Sequence, residues 1–382
     1  MRAAMGDMVA KAHKAMLALF GQCSQLKLYN LNVQGHLFDA LVRSVLCYGC
    51  EVWGPDWVAS GSARGRVVDK GNFACGQAEQ EVHLPFMRQA MGVSRTTTVV
   101  AMMNELGREP LMFYWLRMAA QLWNKAISRP VGDYLRAALE ANVQLSISCT
   151  NAKDCNRLWS THFIYCMDSL GIIWRGEDGA LMKVPIPTMI NTMRNRWLEH
   201  EWSEVNRARR CDANSWVREP SAVRAAPASF RAGFKKLTYQ QWFATTFNRR
   251  DSLSFHLCRR EHVRTVCQFR LGSHSWLNIQ AGRRGRHSVP RHERFCPCCK
   301  DKVEDEAHIL ECPLYADVWS QAGLFDTPPG GWDDRSIHAA FNYTSKDHWV
   351  TFADALLRCM DIRMKFCCAP SQAARRAGSR RV

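Results

Sequence analysis

The sequence contains no stretch that is both long enough and apolar enough to cross a membrane. The best candidate, Leu37–Trp53, is interrupted by Asp39, Arg43 and Glu51, whereas a spanning helix needs about 20 predominantly apolar residues. No secretory leader is visible before the amphipathic stretch Met8–Phe20. We therefore expect an intracellular protein with no membrane partner, and the choice between nucleus and cytoplasm stays open.

Acidic residues are scarce relative to basic ones. The chain of 382 residues has 51 lysines and arginines against 35 aspartates and glutamates, which gives a net charge of +16. This excess favours an anionic partner, and nucleic acid is the commonest such partner. Charge alone leaves open a basic protein with no such partner.

Cysteine is abundant, but disulfides are not expected. Without a secretory route the 17 cysteines should stay reduced, so each is either a packing residue or a metal ligand. The sequence also has no recognisable pairing of a nucleophile with a base and no phosphate-binding loop, so the motifs that indicate common enzyme classes are missing.

Apolar residues recur at helical spacing over most of the chain, and strand patterns are weak. The fold class is therefore predicted to be mainly α. Gly49, Gly54 and Pro55 are predicted to interrupt the helical pattern, and residues 59–71 to form an exposed loop. Short strands are expected at Trp276–Gln280 and just before Cys296. Six aromatic residues at helical spacing are predicted to be core: Tyr48, Trp53, Phe86, Phe113, Trp115 and Trp123.

The strongest chemical signal is a group of four candidate metal ligands. Cys296 and Cys299 form a Cys-x2-Cys pair, while His308 and Cys312 are four residues apart, the spacing that stacks side chains on one face of a helix. Three thiolates and an imidazole suit tetrahedral zinc, and four protein ligands leave no open position. We expect one structural Zn²⁺ per chain. Cys298 is an alternative partner for Cys296, and buried cysteines without metal are the other interpretation.

Two groups of motifs, in the right order, resemble one protein family. Phe295–Trp319, with Val303-Glu-Asp-Glu-Ala-His308 and Cys312-Pro-Leu-Tyr-Ala-Asp-Val-Trp, resembles the zinc-binding segment at the C-terminus of non-LTR retrotransposon reverse transcriptases. Three earlier segments are similar to the thumb that follows the polymerase palm in that family: residues 38–54, 83–96 and 105–111. The resemblance covers residues 10–130 and 250–320. It implies a thumb-like helical domain and a zinc module that grip nucleic acid.

The catalytic palm of that family has no counterpart in this sequence. Polymerases place carboxylates around magnesium ions. Tyr315-Ala-Asp-Val318 lacks the second aspartate, and Trp332-Asp-Asp334 lies downstream of the zinc ligands and is not flanked by strand patterns. We therefore expect no polymerase activity and interpret the chain as a truncated or decayed copy, or as a fragment of a longer reading frame.

Basic charge is concentrated just before the zinc ligands. Residues 249–294 contain eleven arginines, no lysine and three acidic residues, which leaves +8. Arginine makes bidentate contacts with phosphate and stacks on bases, and His274, Trp276 and Phe295 are candidate stacking faces. We expect RNA or DNA to bind here with little sequence preference. The predicted contacts are Arg259, Arg260, Arg264, Arg270, Arg283, Arg284, Arg286, Arg291 and Arg294.

The predicted organisation has six segments. They are a thumb-like helical domain (1–130), a helical middle region (131–211), a linker (212–236), a basic lead-in with the zinc module (237–320), a helical C-terminal region (321–371) and a disordered basic tail (372–382). The predicted function is nucleic-acid binding without catalysis. The alternatives are a non-functional or domesticated interaction module, and the non-catalytic part of a polymerase completed by a separately encoded palm. Self-association through an exposed thumb surface is a further expectation.

Overall fold

A computed structural model describes most of the chain. The described residues are 2–60, 67–74, 76–149, 158–212, 256–277, 293–325, 331–342 and 345–378, together with the single positions 239, 242, 243 and 328. The predicted linker lies almost wholly outside these residues.

The fold is mainly α-helical, as predicted. The first eight helices are α1 (Arg2–Gln25), α2 (Leu31–Leu37), α3 (Ser44–Leu46), α4 (Cys50–Ser60), α5 (Val67–Lys70), α6 (Leu84–Met91), α7 (Val99–Glu105) and α8 (Leu111–Ile127). The others are α9 (Tyr134–Ser148), α10 (Trp159–Leu170), α11 (Ile186–Asp212), α12 (Arg260–Arg270), α13 (His308–Glu311), α14 (Ala316–Ala322), α15 (Asp334–Phe341) and α16 (Lys346–Gly378). Phe38–Arg43 and Glu79–His83 are π-helical, and Pro313–Tyr315 is a 3₁₀ turn.

β-Pairing among the described residues is limited to two isolated antiparallel bridges, Arg175 with Leu181 and Phe295 with Val303. The second bridge is where a short strand was predicted before Cys296. The strand predicted at Trp276–Gln280 is wrong in its first two residues, which form a bend, and residues 278–280 lie outside the described part.

The chain divides into two compact units, each built from separate stretches of sequence. Unit 1 comprises residues 1–21, 37–86 and 109–203, and unit 2 comprises residues 22–36, 87–108 and 204–382. The metal-ligand candidates and the arginine-rich segment therefore belong to the same unit as residues 87–108. The six segments predicted from the sequence stay a prediction.

The core of unit 1 forms where α4 packs against α8. The Trp53 and Trp115 rings meet edge to face at 4.9 Å. A Cβ atom at Gly54 would lie only 2.9 Å from the Trp115 Cβ, so the glycine permits the close approach of the two helices. The prediction that Gly54 and Pro55 interrupt the helix is therefore wrong, because both lie inside α4. Only Gly49, at φ +67°, marks a break.

Two further predictions for unit 1 need correction. Residues 67–70 of the predicted exposed loop form the short helix α5, whose Val67 and Val68 are buried. Of the six aromatic residues predicted to be core, five are buried, but Tyr48 is 81% exposed. Tyr48 lies in the turn before α4, where helical spacing no longer determines which side faces the core.

Unit 2 has an aromatic core around α12 and α16. Phe269 on α12 meets Phe341 edge to face at 5.4 Å and Phe352 on α16 at 6.2 Å. This packing holds α12 against the long C-terminal helix. That helix continues to Gly378, so the predicted disorder is wrong for residues 372–378, and residues 379–382 lie outside the described part.

None of the helices in the described part of the chain combines the length and apolar character needed to cross a membrane.

Candidate metal centre and nucleic-acid interface

The first two candidate ligands lie in a tight hairpin. Phe295 pairs with Val303 in the antiparallel bridge. Within it the Cys296 N–H donates to the Lys302 carbonyl at 2.8 Å, and the Lys300 N–H donates back to the Cys296 carbonyl at 2.8 Å. Lys300 adopts the left-handed conformation, with φ +66°. This turn brings the residues that follow Cys299 back alongside Cys296.

The other two candidate ligands lie at the ends of the single-turn helix α13. The His308 N–H donates to Asp305 Oδ1 at 3.0 Å, and the Cys312 N–H donates to the His308 carbonyl at 2.9 Å. The two side chains are therefore one helical turn apart, as their sequence spacing predicts.

The structure brings all four candidate ligands together. The potential ligand atoms of Cys296, Cys299, His308 and Cys312 lie within 4.8 Å of one another. The Cys312 Sγ is 3.7 Å from both the Cys296 Sγ and the Cys299 Sγ. Because zinc–thiolate bonds are about 2.3 Å, sulfurs at two corners of a tetrahedron lie about 3.8 Å apart. The group could therefore hold a tetrahedral metal ion.

The chemistry of the four side chains also fits a metal ion. The His308 Nε2 is buried and makes no hydrogen bond in the described structure, an arrangement that is costly for a polar atom without a ligand. Burial lowers the pKa of His308, which favours the neutral imidazole that metals require. Cys298 lies outside the group of four. The Cys-x2-Cys register is thus the one that the geometry supports.

Two buried contacts to glutamate side chains fix the segment between the two halves of the site. Arg363 on α16 donates to both carboxylate oxygens of Glu304, with Nη2 at 2.9 Å from Oε2. His274 Nε2 lies 2.9 Å from Glu306 Oε1, and both side chains are almost completely buried. The sequence did not reveal these pairs, because their partners are 32 and 59 residues away. The sequence feature that could have indicated such contacts is the acidic run Glu304-Asp-Glu306, which lies between the candidate metal ligands.

A second Cys-x2-Cys pair, Cys47 and Cys50 in unit 1, has a different environment. The Trp115 Nε1 donates to the Cys47 Sγ at 3.2 Å, and burial raises the pKa of Cys47 to about 12. In the described residues the Cys296 group is the one cluster of three or more metal-ligand side chains. Spacing alone therefore does not identify a metal site.

The predicted nucleic-acid contacts divide into three groups. Arg259, Arg260 and Arg264 are exposed at the start and on one face of α12, and Arg294 is half-buried in the hairpin. Arg270 is buried. The remaining four lie outside the described residues: Arg283, Arg284, Arg286 and Arg291.

Arg270 is a structural residue, and its prediction as a nucleic-acid contact is wrong. It is 3% exposed and donates to Glu105 Oε1 at 2.8 Å and to the Phe341 and Phe243 carbonyls at 2.6 and 2.8 Å. The Tyr239 hydroxyl donates to the same Glu105 oxygen at 2.7 Å. A guanidinium that is fully committed to internal partners cannot reach a phosphate.

Two of the three predicted stacking faces are also internal. His274 is 4% exposed against Glu306, and Trp276 is 8% exposed against Phe269. Phe295, at 42% exposure, is the one that stays accessible.

The aspartates that resemble a polymerase motif have local structural roles. Asp333 caps α15 by accepting from the Ser336 N–H at 2.8 Å, and Asp334 accepts from the Trp242 Nε1 at 3.0 Å. His83 is buried with its Nδ1 at 2.6 Å from Glu79 Oε1. Glu79 also accepts from the Leu111 N–H at 3.0 Å, so this pair stabilises the start of α8.

No family model, curated protein or solved structure matches this chain.

Proposed function

We propose that this chain binds RNA or DNA, without catalysis, through arginines held by a zinc-stabilised unit. The proposal rests on the exposure and the pairing of three arginines, Arg259, Arg260 and Arg264. All three are exposed, and none forms an ion pair with a described carboxylate. By contrast Arg43, Arg136 and Arg194 in unit 1 are each paired with an acid. Uncompensated arginines on one helix attract phosphates.

The metal ion in this proposal is one structural Zn²⁺ per chain. Three thiolates and one imidazole match the ligand preference of zinc, and the sulfur–sulfur distances of 3.7 Å match its tetrahedral geometry. Four protein ligands leave no position for a water or a substrate. Zinc here would hold the hairpin and α13 together rather than act on a bound molecule.

The origin of the chain is part of the same proposal. The resemblance of the thumb-like and zinc-binding motifs supports descent from a non-LTR retrotransposon reverse transcriptase. The roles of Asp333 and Asp334 in capping and internal hydrogen bonding support a non-catalytic chain.

Nucleic-acid binding can be tested by fluorescence anisotropy with short labelled RNA and DNA of mixed sequence. We expect binding at low salt. The logarithm of the association constant should fall linearly with the logarithm of the salt concentration. Replacing Arg259, Arg260 and Arg264 by glutamine should reduce that slope by about one per lost phosphate contact. Arg335→Gln, an exposed arginine near Asp333, is the matched control. Absence of binding by the unaltered protein at low salt would refute the proposal.

A second candidate function is a protein-interaction module. Leu41, Tyr48 and Val52 of unit 1 are 53%, 81% and 60% exposed. Exposed apolar side chains close together in sequence favour contact with another protein or a second copy of the chain. Light scattering after size exclusion tests self-association, and replacing Tyr48 and Val52 by polar residues should abolish any dimer. Assembly with a separately encoded palm would require a heteromeric complex instead.

A further inference from the structure

The exposed face of α12 is in contact with the loop that joins α6 to α7. A Cβ atom at Gly92 would lie 2.9 Å from the Arg264 Cγ, so the stem of Arg264 rests directly on this glycine. The Gln268 Nε2 donates to the Gly92 carbonyl at 2.6 Å, and the Ser94 N–H donates to the Ser273 Oγ at 2.8 Å. Segments 176 residues apart in sequence thus form one continuous surface.

Two more arginines lie near this contact, Arg88 in the last turn of α6 and Arg95 in the loop. Arg95 is exposed, and the Nε of half-buried Arg88 makes no hydrogen bond with any described residue. Burial lowers the pKa of Arg88, and the nearby charge of Arg95 lowers it further. Two guanidinium groups close to one another repel unless an anion lies between or beside them.

The first turn of α12 is bordered by a third segment. The guanidinium carbon of Arg260 lies 5.9 Å from the centre of the Tyr29 ring, a distance typical of a cation–π contact. Tyr29 is half-exposed, and Lys27 in the same segment is exposed. This end of the surface therefore adds an aromatic side chain and another positive charge.

The positive charge on this surface is not balanced within the described structure. We define the basic face as Arg88, Arg95, Arg259, Arg260 and Arg264. None of its five members forms an ion pair with a described carboxylate. The exposed acid on α12, Glu261, forms no ion pair with another described residue.

We propose that the last turn of α6 and the loop that follows it complete the nucleic-acid-binding surface, so that one phosphodiester backbone contacts Arg88 and Arg95 as well as the α12 arginines. This inference rests on the proposed function and extends it to residues that lie outside the arginine-rich segment. The phosphates would lie along the line of contact between the Arg264 side chain and Gly92. Base identity has no part in such contacts, so the binding is insensitive to sequence.

The test compares single variants of the full chain in the anisotropy assay. Arg95→Gln removes one exposed charge, and Arg88→Lys keeps the charge but removes the bidentate guanidinium. At about 0.1 M salt we expect roughly fivefold weaker binding for Arg95→Gln, with the salt slope smaller by about one. Arg264→Gln is the positive reference and Arg335→Gln the control. Unchanged thermal melting curves should confirm that each variant is folded.

The results separate this inference from the proposed function. If the unaltered protein binds and Arg264→Gln weakens binding, but Arg95→Gln and Arg88→Lys behave like Arg335→Gln, the role of the last turn of α6 and the loop is refuted and the function stands. If the unaltered protein binds neither RNA nor DNA, both fail. Binding to vesicles that contain phosphatidylglycerol, without binding to nucleic acid, would contradict the occupant proposed here.

Discussion

Arg363 on the C-terminal helix and Glu304 in the metal-ligand segment form a buried ion pair, with side chains 6% and 0% exposed. Glu304 lies between the hairpin cysteines and His308, so the pair ties the segment that carries all four candidate ligands to α16. A buried charge that loses its partner is strongly unfavourable. The metal centre and the C-terminal helix should therefore depend on each other.

Replacing Arg363 by methionine should weaken zinc binding. The change leaves Glu304 buried and unpaired beside the ligands, and loss of groups that position a metal site lowers affinity by about 10- to 100-fold. Competition with a chromogenic chelator measures that affinity. Arg358→Met is the control, because Arg358 lies on the same helix but is exposed and donates to the neutral Gln321. Equal affinities for the two variants would show that the ion pair does not position the site.

The thiols of the hairpin should differ in their effect on metal binding. Cys299→Ser removes one of the four grouped ligands and should lower zinc affinity by several orders of magnitude. Cys298→Ser, one position away and outside the group, should leave the affinity unchanged. Both variants are measured by the same chelator competition. The reverse order would mean that Cys296 and Cys298 are the pair that binds the ion.

The buried pair of Arg270 and Glu105 should stabilise unit 2 and contribute nothing to nucleic-acid binding. Arg270→Met leaves Glu105 buried without its guanidinium, so we expect a loss of about 3–5 kcal/mol in the free energy of unfolding. Urea unfolding measures that loss. In the anisotropy assay at low temperature, the salt slope of folded Arg270→Met should equal that of the unaltered protein. A smaller slope would show that Arg270 does contact phosphate.

Gly54→Ala should destabilise unit 1, because the added methyl group would lie 2.9 Å from the Trp115 Cβ where α4 crosses α8. Overpacking of this kind costs about 1–3 kcal/mol. Gly21→Ala is the matched control, since nothing lies within 4 Å of its added Cβ and alanine is favoured inside α1 by about 1 kcal/mol. The midpoint temperature of thermal unfolding should therefore fall for Gly54→Ala and rise for Gly21→Ala. An unchanged unfolding temperature for Gly54→Ala would contradict the inference that the close contact of α4 with α8 requires a glycine at this position.

The sequence predicted the features that depend on local pattern. Helical periodicity indicated the fold class. The spacing of Cys296, Cys299, His308 and Cys312 predicted a group that the structure brings together. In each case the cause lies within a few residues of its effect.

The sequence did not predict features that depend on distant partners. Gly54 and Pro55 would end an isolated helix, but the packing of α4 against α8 overrides their local preference. By charge Arg270 looks like the exposed arginines of α12, but distant partners such as Glu105, 165 residues away, make it a buried structural residue. Its helical position does differ from that of Arg264, because Arg270 follows Val263 by seven residues and Val266 by four and so lies on the buried face of α12. Arg95 belongs to the basic face through the contact of Gly92 with Arg264, which no sequence spacing reveals.

Zinc content tests the central claim most directly. The protein should be purified without chelator and measured by inductively coupled plasma mass spectrometry, beside a variant in which Cys299 and Cys312 are both serine. We predict one zinc per chain in the unaltered protein and none in the variant. No zinc in the unaltered protein, or the same content in both proteins, would contradict the account of a closed site formed by Cys296, Cys299, His308 and Cys312.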